Sequence, residues 1–188
     1  MNRALRSLFL LAAFALPIAV SAQRLFTRDA RVYFDATSKG SPEKVDATNK
    51  SGTMVVDVAS GRVESVVLMN NFIFEKALMQ EHFNENYMES SKFPKATFKG
   101  KIEDTGKVNF SQDGNYSASL AGDFMLHGVT KKVQIPVTFQ VKGGKVSGSA
   151  NFKVSLAEYG ISIPSVVADK LAKEAKISIE CKLEPMKS

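Results

Sequence analysis

The side chains of this chain that could carry chemistry are a few carboxylates and two histidines. Glu81, Glu85 and Glu158 are candidates for an acid–base pair, because general acid–base catalysis needs a carboxyl group beside the reacting atom. Glutamates of this kind are far more often solvated surface residues. The sequence also lacks the G-x-S-x-G, H-E-x-x-H, Walker and C-x-x-C motifs that arrange nucleophiles, metals or phosphates. We therefore predict that the protein is not an enzyme.

A metal site is the second chemical option. His82 could bind a metal together with Glu85 or Glu89 on one helical face, and His127 is the only other histidine. A stable zinc site needs three or four convergent ligands. This pattern supplies too few, so we expect neither a metal nor a cofactor, and we interpret His127-Gly128 as a turn.

The sequence pattern predicts that the elements which position these residues are mostly β-strands. Apolar and polar residues alternate from Tyr116 to Leu126, from Val129 to Val141 and from Val146 to Leu156, the pattern of strands with one buried face. Turn residues separate them at Gln112-Asp113-Gly114-Asn115 and Lys142-Gly143-Gly144-Lys145. Eight candidate strands at hairpin spacing predict an all-β fold, an eight-stranded antiparallel barrel. A two-sheet sandwich would satisfy the same pattern.

Some strand boundaries are specific expectations. Ser51-Gly52 is interpreted as a turn, and the last strand is expected over Ile177 to Leu183. Pro136 is expected at an edge or a bulge, because proline cannot donate to a ladder. One strand is expected to run from Val63 to Phe74, with these residues on its apolar face: Val66, Leu68, Phe72 and Phe74.

Two segments break the alternation and predict one or two short helices that close the ends of the barrel. The first carries apolar and aromatic residues at three- and four-residue spacing, at Leu78, Met79, His82, Phe83 and Tyr87. The second is expected to begin at Pro164-Ser165 and to carry Val167, Leu171 and Ala175.

The N-terminus predicts export. Arg3 and Arg6 precede an apolar run, and Val20-Ser21-Ala22 has the small residues that a signal peptidase recognises, so residues 1–22 are predicted to be a cleaved signal peptide. Residues 23–188 would then form a single domain, soluble in the periplasm or secreted. Cleavage lowers the basic side chains from 25 to 23 against 19 acidic ones, a net charge of about +4. The lysines are dispersed, which argues against nucleic-acid binding.

A single cysteine, Cys181, excludes an intramolecular disulfide. It shares its parity with Ile177, Ile179 and Leu183, so we expect it to face the core as a small hydrophobic residue.

Three segments of the chain resemble the YceI-like family. They are LMQEHFNENYMESSKFPKATFKG from Leu78 to Gly100, GDFMLHGVTK from Gly122 to Lys131, and EYGI from Glu158 to Ile161. The similarity covers nearly all of residues 26–184 in order and spacing. It implies an exported, lipocalin-like antiparallel barrel that binds a long apolar amphiphile, such as a polyisoprenoid, an isoprenoid quinone or a fatty-acid-like lipid.

On this interpretation the inward-facing side chains line a lipid cavity, whereas the alternative is an exported stress-response or structural interaction protein whose barrel is filled. The residues expected to contact the lipid are Phe34, Phe72, Phe74, Phe98, Phe124, Leu126, Phe139 and Phe152. Residues 75–90 would either gate the entrance or form a structural plug. The residues expected at the gate or against the head group are Leu78, His82, Phe83, Asn84, Asn86 and Tyr87.

Lysines near the rim could bring the protein into transient contact with anionic membranes. The oligomeric state, a dimer included, stays open.

Overall fold

The computed structural model describes residues 24–186 and shows one closed barrel in which consecutive strands pair antiparallel and β1 pairs with β8. This confirms the predicted all-β, eight-stranded antiparallel barrel. The predicted signal peptide lies outside the described residues. The strands are β1 (Arg24–Thr37), β2 (Asp46–Asp57), β3 (Arg62–Leu68), β4 (Lys95–Ile102), β5 (Gly114–Leu126), β6 (Val129–Lys142), β7 (Lys145–Ser155) and β8 (Leu171–Pro185).

Because every strand reverses direction, the connections fall alternately at the two ends of the barrel. The end that we call the mouth carries the connections 38–45, 69–94, 127–128 and 156–170. The opposite end, which we call the closed end, carries short turns and the connection 103–113. There the ring of Phe110 packs at 5.3 Å on the ring of Phe139.

The alternation of apolar and polar residues along the strands matches the alternation of buried and exposed side chains in the structure. In β6, Ile135, Val137, Phe139 and Val141 are buried, and the residues between them are exposed. Inward side chains from all eight strands therefore meet along the axis of the barrel, where burial of apolar surface stabilises the fold.

Close approach of two strands requires glycine at one point of the wall. Gly100 in β4 lies opposite Gly122 in β5. A Cβ atom on Gly122 would overlap the backbone of Gly100 and Lys99. Glycine in a strand interior often marks such an approach.

Ser51-Gly52, predicted to be a turn, lies instead within β2, where Gly52 faces Ala30 at a register shift of β1. The absent side chain of Gly52 accommodates the irregular backbone of β1, since an added Cβ would come within 3.0 Å of the carbonyl oxygen of Ala30. Glycine here serves a strand irregularity and not a chain reversal.

The predicted strand from Val63 to Phe74 is wrong beyond Leu68. β3 ends there, and a 3-10 turn over Met69–Asn71 changes the facing of the chain. Within β3 the inward parity is that of Val63 and Val67, so Val66 and Leu68 are on the outer surface, the latter 45% exposed. Phe72 and Phe74 are buried after the turn, as predicted, although not as members of this strand.

The second predicted helix is also wrong. Only a 3-10 turn, Ser165–Val167, forms after Pro164, and β8 already begins at Leu171. Leu171 and Ala175 are four residues apart, and a spacing of four lies on one face both of a helix and of a strand. The first helix is confirmed but short: α1 spans Ala77–His82 and continues as a π-helical turn, Phe83–Tyr87.

Pro136 lies in the middle of β6, opposite Ser119 of β5, and not on an edge strand, because the closed barrel has none. The expectation of a local irregularity fits in another way. The pairing between β6 and β7 extends from Val137, opposite Ala150, to Lys142, opposite Lys145. Pro136 lies just outside this paired stretch, so its missing N–H leaves no gap in the β6–β7 ladder.

Candidate functional site

The centre of the barrel encloses an apolar cavity of about 150 Å³, which we call the inner cavity. Its wall includes seven of the eight residues predicted to contact a lipid: Phe34, Phe72, Phe98, Phe124, Leu126, Phe139 and Phe152. The eighth, Phe74, does not reach it and lies nearer the mouth. The alternation of burial brings six of these side chains from β1, β4, β5, β6 and β7 to one axis, and Phe72 joins them from the connection after β3.

Four phenylalanines form a continuous aromatic layer at the mouth side of the inner cavity. The ring of Phe34 lies 5.5–5.8 Å from the rings of Phe72, Phe74 and Phe83. Phe83, from the π-helical turn, lies 5.0 Å from Phe74 and completes the layer. Such edge-to-face and tilted pairs add to the stabilisation from burial alone.

A second cavity, which we call the mouth cavity, lies above this layer and measures about 390 Å³. It is bounded by the β1–β2 loop, by α1 with its π-helical turn, and by the start of β8. Five side chains line both cavities, and we call them the partition: Phe34, Phe83, Met88, Leu156 and Ile161. The partition is therefore all that separates the two spaces.

Three members of the partition were not predicted as contact residues. Met88 and Ile161 lie outside the alternating segments, where parity gives no sign of inward facing. Leu156 follows the last residue of β7 and continues the apolar parity of the segment from Val146 to Leu156, so its inward facing was predictable although it was not among the predicted lipid contacts. A signal was nevertheless present for Ile161, because it closes the Glu158-Tyr159-Gly160-Ile161 segment that carries the family resemblance.

The structure separates the six residues predicted at the gate into two groups. Leu78, His82, Phe83 and Tyr87 line the mouth cavity. Asn84 and Asn86 do not line it. Their amides bond within α1, its π-helical turn and the residue that follows, 77–88, which we call the helical segment: Asn84 Nδ2 donates to the carbonyl of Gln80 at 3.0 Å, and Asn86 Nδ2 donates to His82 Nδ1 at 2.9 Å.

The helical segment is fastened to the rest of the mouth by His127. His127 and Gly128 form the two-residue turn between β5 and β6, with φ of 50° and 75°. The ring bonds the carbonyl of Tyr159 through Nδ1 and a carboxylate oxygen of Glu89 through Nε2, each at 3.0 Å. Both nitrogens donate only when the ring is an imidazolium. Glu89 also has a positive φ of 42°, a conformation uncommon outside glycine.

The carboxylates and histidines weighed for metal binding are dispersed. His82 bonds Asn86, whereas His127 bonds Glu89. Within residues 24–186 no group of three or more histidine, cysteine, aspartate or glutamate side chains is placed to hold a metal ion. In the same part of the chain, no helix has the length and apolarity needed to cross a membrane.

The polar lining of the mouth cavity comes chiefly from side chains that sequence reasoning missed. Lys76 donates to Glu43 at 2.6 Å, and Lys170 lies 3.6 Å from the other oxygen of the same carboxylate. The hydrogen bond from Lys76 lowers the pKa of Glu43 and raises the pKa of Lys76. Nothing in the local sequence marked these three residues, because they come from separate loops.

Cys181 lines the inner cavity, and its predicted core-facing position is confirmed. Burial raises the pKa of its thiol to about 11. The thiol is therefore neutral at physiological pH, as an apolar wall requires.

The chain belongs to the YceI-like domain family, whose profile matches residues 24–183. No curated protein sequence is significantly similar to it. Among solved structures, a polyisoprenoid binding domain from Saccharophagus degradans shares the fold with a TM-score of 0.74 at 11% identity, covering 88% of this chain and 99% of its own.

Two further solved structures share the fold. BcnA of Burkholderia cenocepacia has a TM-score of 0.66 at 16% identity and covers 82% of this chain and 96% of its own. The YceI protein of Campylobacter jejuni has a TM-score of 0.59 at 17% identity and covers 79% of this chain and 88% of its own. At these identities the likeness establishes the fold.

Proposed function

We propose that this protein binds a long apolar amphiphile, a polyisoprenoid, an isoprenoid quinone or a fatty-acid-like lipid, and performs no chemistry on it. The tail lies in the inner cavity and the head group lies in the mouth cavity. The observation that carries the proposal is the apolar cavity on the barrel axis, which only the partition separates from the mouth. The family match and the fold of the Saccharophagus degradans domain support it.

The size of the inner cavity sets a condition on this function. A cavity of about 150 Å³ accommodates a molecule about as large as benzene. A long tail therefore requires the partition to move, and its Phe83 and Met88 side chains come from the helical segment, which can shift without opening the strand ladders. Each buried CH₂ group contributes roughly 0.8 kcal/mol, so a tail of several isoprene units offsets the cost of this movement.

Lipid uptake by the delipidated protein tests the proposal. We expect a fluorescent or quinone-quenched titration to saturate, and native mass spectrometry of freshly extracted protein to show a co-purifying lipid. Ala150→Leu, which fills the inner cavity, should weaken binding about tenfold or more, since it removes room for at least one buried methylene or methyl group and strains the rest. The matched control, Asn151→Leu on the exposed face of the same strand, should bind like the wild type.

The small volume also favours one alternative, a filled-barrel structural or stress-response protein without a lipid ligand. Delipidated protein that keeps its circular dichroism but takes up none of the three lipid classes would establish this alternative and overturn the proposal.

We also propose that the protein acts in the periplasm or outside the cell, on the basis of the N-terminal signal pattern. Cell fractionation should recover the chain in the soluble exported fraction with its mass reduced by residues 1–22. A variant without these residues should stay in the cytoplasm.

A further inference from the structure

The mouth cavity holds two lysines that approach one carboxylate from different elements. Lys76 precedes α1, Lys170 precedes β8, and Glu43 belongs to the β1–β2 loop. Their charged atoms lie 2.6 and 3.6 Å from the two oxygens of Glu43. One carboxylate balances only one of the two ammonium groups, so the lining of the mouth cavity carries a net positive charge.

The remaining polar groups of this wall are donors. The amide nitrogen of Asn86 donates to Nδ1 of His82, so the neutral ring of His82 has its proton on Nε2. The hydroxyl of Tyr87, which lines the same cavity, can also donate. Lysine ammonium groups, an imidazole N–H and a phenol thus surround a space whose only charged acceptor is Glu43.

The balance of charge differs between the cavity lining and the rest of the mouth. The connections at the mouth, 38–45, 69–94, 127–128 and 156–170, contain five lysines and seven carboxylates. Two of those five lysines line the mouth cavity, but only one of the seven carboxylates does. The rest of the mouth therefore carries net negative charge, whereas the lining of the mouth cavity, with its two half-exposed lysines, carries one net positive charge. An anion is thus favoured at the cavity over the surrounding rim.

We propose that the mouth cavity is a subsite for an anionic head group, a phosphate or a carboxylate, on the lipid whose tail occupies the barrel. This inference rests on the proposed function. Oxygens of the head group take the place of the Glu43 carboxylate between Lys76 and Lys170. His82 and Tyr87 supply further donors.

A pair of ligands with one tail and two head groups tests the assignment. Geranylgeranyl monophosphate should bind about fivefold or more tightly than geranylgeraniol, a difference of the size that one or two partly exposed ion pairs provide. Palmitate should likewise bind more tightly than hexadecanol. The double variant Lys76→Met/Lys170→Met should remove the preference by weakening the binding of the phosphate and of palmitate, because methionine keeps the apolar stem of each lysine but not its charge. Glu43→Gln should increase the preference.

The matched control is Lys142→Met/Lys145→Met, which removes two exposed lysines at the closed end and should preserve the preference. Inorganic phosphate at the concentration of the lipid should not displace geranylgeranyl monophosphate. Displacement would assign the site to a free anion and overturn the lipid subsite.

Equal binding of phosphate and alcohol by the wild type would overturn the anionic subsite and leave the proposed function standing, whereas binding of neither would overturn the proposed function. An equal loss of both ligands in the double variant would show that the lysines only support the fold, which also overturns the assignment. If the double variant fails to fold, two single variants replace it. Lys170→Met should lower the preference for the phosphate over the alcohol, and Glu43→Gln should raise it. Shifts in the same direction would refute the anionic subsite.

Discussion

Asn49 is fully buried in the wall of the barrel, where a polar side chain must find all its partners inside the protein. Its amide Nδ2 donates to the carbonyl of Leu68 at 2.8 Å, and its Oδ1 accepts from the backbone N–H and the hydroxyl of Ser51 at 2.8 Å each. The ladder between β2 and β3 has already ended at Thr53 and Val66. Asn49 therefore replaces backbone pairing where β3 leaves its neighbour.

We predict that Asn49→Leu lowers the free energy of unfolding by about 2–4 kcal/mol, because it removes the three hydrogen bonds of a fully buried amide and leaves the Leu68 carbonyl and the Ser51 N–H without these partners. Urea unfolding followed by circular dichroism measures the change. Asn115→Leu, which removes an exposed bond to Gln140, serves as the control and should change stability by less than about 0.5 kcal/mol. Equal midpoints for the two variants would show that water replaces the Asn49 amide.

The thiol of Cys181 reports directly on the interior. Burial raises its pKa from an ordinary value of 9.0 to about 11, so at pH 8 we predict reaction with a thiol reagent about a hundredfold slower in the native protein than in urea. The neutral thiol is favoured in the native state, so its contribution to stability is complete below pH 9 and is lost as the pH rises toward 11. Comparable rates in the native and unfolded protein would contradict the buried position.

Single residues mark the limit of what the sequence predicts. The facing of Cys181 was predictable, since an unbroken strand fixes parity. The Glu43, Lys76 and Lys170 cluster was not, because each lies in a loop with solvated neighbours and only the closed barrel brings the three together. The partition was predictable only in part for the same reason: Phe34, Phe83 and Leu156 lie in periodic segments, whereas Met88 and Ile161 do not.

At the scale of elements, the helical segment is held at the mouth by only a few contacts. No residue of α1 is buried, and the segment is held mainly by Phe83, by Met88 and by the bond of Glu89 to His127. Segments with few buried contacts open at low free energy. Phe83 is the central anchor, because it lies in the aromatic layer and in the partition at once.

We predict that Phe83→Ala speeds lipid uptake and release at least several-fold and raises amide hydrogen exchange over residues 77–88, since it removes the ring that joins the helical segment to Phe34 and Phe74. Stopped-flow fluorescence and hydrogen-exchange mass spectrometry measure the two effects. The control is Leu78→Ala on the same segment, whose side chain is 62% exposed. Faster exchange with unchanged uptake would make the segment a structural plug and not a gate.

The strands show which elements alternation can define. It predicted β5, β6 and β7 nearly residue by residue, because one face of each is buried and the other solvated. Alternation failed where the inward-facing parity changed within an apolar segment, and where one spacing fits both a helix and a strand. The 3-10 turn after Leu68 changes the inward parity although Phe72 and Phe74 keep the spacing of Val66 and Leu68, and the spacing from Val167 to Ala175 is shared by helices and strands.

For the whole molecule, the number and direction of strands followed from the sequence, but closure did not. A sandwich and a barrel present the same alternation, and only the pairing of β1 with β8 distinguishes them. That pairing joins the two ends of the described chain, a contact that no local pattern reports. Closure also creates the inner cavity, so the volume of that cavity could not be predicted from the alternation of the strands.

Charge over the whole molecule bears on the proposed contact with membranes. The sequence attributes this contact to lysines near the rim, yet the mouth connections carry seven carboxylates against five lysines. Exposed apolar side chains lie there instead: Leu78 on α1, and Val166, which is 82% exposed, on the turn before β8. Exposed side chains of this kind favour the membrane interface by apolar burial and not by charge.

We therefore predict that binding to vesicles of phosphatidylcholine and phosphatidylglycerol is weak and changes less than about twofold between low and physiological ionic strength, because screening acts only on charges. Leu78→Asp/Val166→Asp should abolish this binding, and Lys76→Met/Lys170→Met should leave it intact, since those lysines line the mouth cavity. Co-sedimentation across a salt series measures both. A steep loss of binding with salt that the lysine variant also removes would restore the lysines as the membrane contact.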